Sequence, residues 1–67
     1  MVQIELNGAA HSLPDDADVA AAVARLTESR RGIAVALNGS VVPRAQWDAT
    51  RLHAGDRVEV LSASQGG

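Results

Sequence analysis

Apolar and polar residues alternate at the start of the chain, with Val2, Ile4 and Leu6 on one side and Gln3 and Glu5 on the other. A period of two predicts a half-buried strand. Asn7-Gly8 follows, a pair suited to a type I′ hairpin turn, in which both central residues need φ > 0. A return strand is expected from Ala9 to Leu13, with Leu6 opposite Ala9. On that parity Ala9, His11 and Leu13 share the inner side, and His11 is a partly covered edge residue rather than a ligand.

Pro14-Asp15-Asp16-Ala17 breaks the alternation, and Asp18 is well placed as an N-cap. The spacing then becomes helical, with Val19, Val23 and Leu26 at i, i+4 and i+7. Ala20, Ala22 and Ala24 widen this face or hold the helix close to its support. The acidic start and Arg25, Arg30 and Arg31 near the end suit the helix dipole. Gly32 is the expected C′ stop. Asp15, Asp16 and Asp18 are explained by capping and solvation rather than by a metal site.

A period of two returns in Ile33, Val35 and Leu37, with the small Ala34 and Ala36 facing the other way. Asn38-Gly39 predicts a second tight turn, and Ser40-Val41-Val42 a short strand closed by Pro43. Arg44-Ala45-Gln46-Trp47 is expected to form one turn of helix, with Trp47 capping the core and its indole N–H on a backbone acceptor. Leu52 should anchor the next loop, and His53-Ala54-Gly55-Asp56 should turn the chain into a final strand, Arg57 to Leu61. Val58 and Val60 then face inward, while Glu59 and Leu61 point out. These elements predict an α+β domain, a mixed sheet of four to five strands gripping one main helix.

Composition narrows the function. A chain of 67 residues is one small domain, able to bury only about 60% of its unfolded surface. That is too little for both a core and a deep catalytic pocket. Cysteine is absent, Trp47 is the only aromatic residue, and His11 and His53 are the only histidines. Thiolate chemistry and a structural zinc site are therefore not expected. A net charge of -2 argues against nucleic-acid binding. No apolar run suggests a signal sequence or a membrane span, so a cytoplasmic protein is expected. All six cations are arginine, which leaves no side-chain amine for isopeptide branching or a Schiff base.

The most suggestive chemistry is at the end of the sequence, Ser64-Gln65-Gly66-Gly67. Two glycines without side chains can take almost any φ/ψ and enter a channel too narrow for a Cβ. The α-carboxylate of Gly67 is a poor electrophile, but as a mixed anhydride with AMP it can be attacked by sulfur. Terminal glycines also occur in inert tails, so the rest of the chain must decide. The expected division is a folded domain over residues 1–63 and a flexible tail over 64–67. Leu61 is the one outward apolar residue near this tail. Ala34, Ala36 and Ala63 could extend it into a docking patch.

Taken together, the chain resembles the β-grasp, ubiquitin-like family, and more narrowly the ThiS-type sulfur carriers of thiamin biosynthesis. The resemblance rests on Val2-Gln3-Ile4-Glu5-Leu6-Asn7-Gly8, the helix start Asp18-Val19, and Ala34-Val35-Ala36-Leu37-Asn38-Gly39. It continues through Val41-Val42-Pro43-Arg44 with Trp47, Leu52, Gly55-Asp56-Arg57-Val58-Glu59-Val60 and the final Gly66-Gly67. Asp18 stands where the family often has threonine, an exchange of one cap for another. The residues just before the glycine pair depart from the small residue or extra glycine common there.

The resemblance implies that a ThiF-like adenylyltransferase, consuming ATP, adenylates the Gly67 carboxylate. A persulfide supplied by a cysteine desulfurase or similar donor then yields a C-terminal thiocarboxylate. A ThiG-like thiazole synthase takes that sulfur for the thiazole ring. Gly67 is then the reacting residue and Gly66 gives access to a narrow site. Leu61, Ser62, Ala63, Ser64 and Gln65 would lie in a partner groove by strand-like pairing. Arg44 and Trp47 are scaffold. On this view the chain is a protein co-substrate, monomeric when free, with no catalytic residue, bound cofactor, metal, nucleic acid or membrane of its own. Carriers for molybdopterin or cysteine synthesis share fold and terminus, though Val42-Pro43-Arg44 with Trp47 favours the thiamin branch. A protein modifier attached through Gly67, and an interaction module with an inert tail, are the readings from other classes.

Overall fold

A computed structural model describes residues 1–29 and 31–62 of the chain. Strand β1 (Val2–Leu6) and strand β2 (Ala9–Leu13) form the first hairpin, with Leu6 opposite Ala9 as the turn chemistry requires. Helix α1 (Val19–Leu26) follows. Strand β3 (Ile33–Leu37) and the two-residue β4 (Ser40–Val41) form a second hairpin, a 3₁₀ helix covers Arg44–Ala49, and β5 (Arg57–Ser62) ends the described fold.

The sheet order is β2-β1-β5-β3-β4. The central pair, β1 with β5, is parallel, and every other neighbouring pair is antiparallel. Both hairpins turn on an asparagine with positive φ, 49° at Asn7 and 51° at Asn38, each followed by a glycine at φ above 80°. Asparagine tolerates that region better than most residues, and glycine is unhindered there.

One face of the sheet packs on α1 and the 3₁₀ helix. Ile4, Leu6, Leu13, Val35 and Val58 are buried from the sheet, and Val19, Ala22 and Val23 from the helix. His11 is half-buried on β2, opposite Ile4. Trp47 closes the core as expected: it is buried, and its indole Nε1 donates to Val42 O at 3.0 Å. Leu52 is buried and its N–H donates to Ala17 O at 3.0 Å, while Val19 N–H donates to Thr50 O at 3.0 Å. These bonds tie the start of α1 to the loop before β5. Among the described residues no helix is long and apolar enough to cross a membrane.

Four local expectations are corrected. The helix ends at Leu26, not at Gly32; Thr27 is already extended, at φ -154° and ψ 151°. Thr27 Oγ1 accepts from Ser29 N–H at 3.1 Å, and Ser29 Oγ accepts from Arg31 N–H at 3.3 Å. Such local side-chain bonds offer the backbone an alternative to helix. Gly32, at φ 67°, serves the turn into β3 instead. Leu26, expected on the buried face, is 44% exposed in the last turn. Arg25 reaches across to β2, donating from Nη2 to Ser12 O at 3.2 Å, and Arg31 lies beyond the helix. The 3₁₀ helix runs past the single turn expected and ends at Ala49. The short strand stops at Val41, although Val42 N–H still donates to Val35 O at 2.9 Å.

Candidate functional site: the open sheet face of the last strand

Strand β5 carries the route to the tail. Val58 and Val60 are buried, so Arg57, Glu59 and Leu61 point to the face that α1 does not cover. The antiparallel register puts Ala34 beside Leu61 and Ala36 beside Glu59, with Ala36 also opposite Val41 on β4. The expected patch residues Leu61, Ala34 and Ala36 are therefore neighbours on one surface. Ala63, Ser64, Gln65, Gly66 and Gly67 lie outside the described residues.

Leu61 is 72% exposed and Val41 77% exposed. Both line an open hollow of about 590 Å³ together with Ala34, Ala36, Glu5, Arg57 and Glu59. Large residues at both ends and small ones between give a surface that can seat an apolar side chain of a partner. Val41 was missed by the sequence reading. Strand parity could have found it, because an inward Val42 leaves its neighbour facing out. A second hollow, of about 540 Å³, lies at the end of α1 between Leu26, Thr27, Ile33, Leu61 and Ser62. Leu61 borders both.

The remaining candidate chemistry has structural work. Asp18 caps α1, its Oδ1 accepting from Ala21 N–H at 2.9 Å. An oxygen of Asp15 lies 2.7 Å from the Met1 amine. Asp56 closes the loop before β5, accepting from His53 N–H at 2.7 Å and from Asn38 Nδ2 at 3.0 Å. The His53 ring is exposed, its Nδ1 3.9 Å from Asp56. Among the described residues, no group of three or more His, Cys, Asp or Glu side chains could hold a metal ion.

A five-stranded mixed sheet with parallel first and last strands, holding a single main helix, defines the β-grasp class. Within it, the chain belongs to the ThiS family, whose sequence profile matches residues 2–67 and so extends over Gly66 and Gly67. Among solved structures, a thiamine biosynthesis protein (ThiS) from Geobacter metallireducens superposes with a TM-score of 0.77 at 29% identity. That match covers 98% of this chain and all of the other. No curated protein gives a significant match.

Proposed function

We propose that the chain is a sulfur carrier of thiamin biosynthesis whose working group is the Gly67 carboxylate. The observation that carries this reading is the ThiS-family match, which spans residues 2–67 and so includes the glycine pair. The structural relative, itself a thiamine biosynthesis protein, supports it.

In this role the carboxylate oxygen attacks the α-phosphorus of ATP in a ThiF-like adenylyltransferase, and pyrophosphate leaves. The terminal sulfur of a persulfide, charged by a cysteine desulfurase or similar donor, attacks the acyl carbon and displaces AMP. A second thiol then cleaves the S–S bond, releasing the thiocarboxylate and leaving a disulfide. A ThiG-like thiazole synthase accepts the sulfur. The chain itself supplies a presented acyl group and a docking face and acts as co-substrate. A chemistry that consumes ATP and a persulfide suits a cytoplasmic carrier.

Docking uses the face built by Leu61, Ala34 and Ala36, with Val41 added, while the segment from Ser62 through Ala63, Ser64 and Gln65 lies extended in the partner. Gly66 lets the end pass where a Cβ would not. Incubation with a ThiF-type adenylyltransferase, ATP and a sulfide source should add the mass of one oxygen replaced by sulfur. Intact-mass spectrometry reads this directly, and an unchanged mass with an enzyme that loads its own carrier would count against the reading. Isopeptide adducts of Gly67 on other proteins in a lysate would favour a modifier instead.

A further inference from the structure

Backbone pairing of β1 with β5 ends at Leu6 opposite Val58, where Asn7 N–H donates to Val58 O at 3.0 Å. The chain of β1 then turns away, with Asn7 at φ 49°. Strand β5 runs on to Ser62. At Val60 the Asn7 side chain takes the place of the missing strand. Its Oδ1 accepts from Val60 N–H at 2.8 Å, and its Nδ2 donates to Val60 O at 3.2 Å. One amide thus satisfies both backbone groups of a residue 53 positions away.

The other Asn-Gly turn holds the opposite end of the same strand. Asn38 Oδ1 accepts from Arg57 N–H at 2.9 Å, and Asn38 N–H donates to Arg57 O at 2.8 Å. A type I′ turn needs only positive φ, which glycine supplies equally well. The carboxamide at position 7 therefore does something beyond making the turn.

We infer that Asn7 is a positioning residue: its side chain extends the β1–β5 ladder by one rung and fixes the direction in which the chain leaves the sheet at Ser62. Held on one side by β3, through Ala34 opposite Leu61 and Ile33 opposite Ser62, and on the other by Asn7 at Val60, the strand presents Leu61 outward from a fixed backbone. A partner then meets Leu61 and Ser62 on an ordered strand and pays less ordering entropy on docking. The consequence for activation rests on the proposed carrier role; the structural part does not.

The test compares Asn7→Gly, which keeps the turn, with Asn38→Gly, which releases the remote end of the strand through the same kind of bond. In Asn7→Gly the Val60 amide should exchange hydrogen at least about tenfold faster relative to the Leu52 amide, an internal reference. With the adenylyltransferase, the carrier KM should rise about three- to tenfold in Asn7→Gly and less than about twofold in Asn38→Gly, with kcat little changed. Unchanged Val60 exchange in Asn7→Gly overturns the clamp. Faster exchange with equal KM in the two glycine variants overturns the positioning role. Loading that fails in the wild-type chain removes the carrier reading and leaves the exchange result to decide the clamp.

Discussion

Leu61 shows how one residue's parity becomes a functional expectation. With Val58 and Val60 committed to the core, a strand has no choice but to turn Leu61 outward, and the alanines of β3 leave room around it. Replacing it with lysine puts a charge where the proposed partner must desolvate the surface, yet removes nothing from the core. Leu61→Lys should weaken adenylyltransferase binding about tenfold or more, as loss of an apolar anchor does. Unfolding free energy should move by less than about 0.5 kcal/mol. Titration calorimetry beside denaturant unfolding measures both, and unchanged affinity would remove Leu61 from the interface. Trp47 was equally legible, because an indole N–H buried in so small a core must find an acceptor, and Val42 O supplies it. Leu26 was not legible. Its spacing fits the buried stripe, but the stripe says nothing about where Thr27 and Ser29 will draw the backbone out of the helix.

At the scale of elements, α1 is short enough for its first turn to matter. Helices of this length are not stable alone in water and depend on caps and packing. Asp18 provides a side-chain cap on Ala21 N–H and a backbone acceptor for Ala22 N–H at 3.2 Å. Asp18→Ala removes the first and keeps the second, so it should cost about 1 kcal/mol. Asp18→Thr, the exchange that the family resemblance suggests, should recover most of the loss. Urea unfolding at equal protein concentration checks the pair; an alanine variant as stable as the wild type would show that packing alone holds the helix start. The beginning of α1 was legible because a cap is a local signal, written in one residue and the periodicity after it. Its end was set by competing bonds of nearly equal worth, which composition does not rank. Of the acidic residues before α1, Asp18 caps the helix and Asp15 lies 2.7 Å from the Met1 amine.

Across the whole molecule, the strands were legible one by one, but their order was not. Nothing within β1 or β5 states that they lie side by side and parallel; that pairing closes a loop of most of the chain and is decided by which apolar faces the single helix can cover. The family resemblance implied a mixed sheet on one helix and left that order unstated. The resulting fold places its core residues between Ile4 and Val60, whereas the group proposed to react is Gly67. Stability and function should therefore separate cleanly at the end of the chain. Deleting Gly67 removes the glycine carboxylate from its place and should abolish loading with sulfur. It removes no residue of the described core, so the thermal midpoint should shift by less than about 1 °C, the equivalent of a few tenths of a kcal/mol at this size. Calorimetry and intact-mass loading on one preparation read the two quantities together. A truncated chain that still loads would mean that another carboxyl group is activated. One that melts well below the parent would mean that the last residues pack against the body, and that the end is held rather than offered.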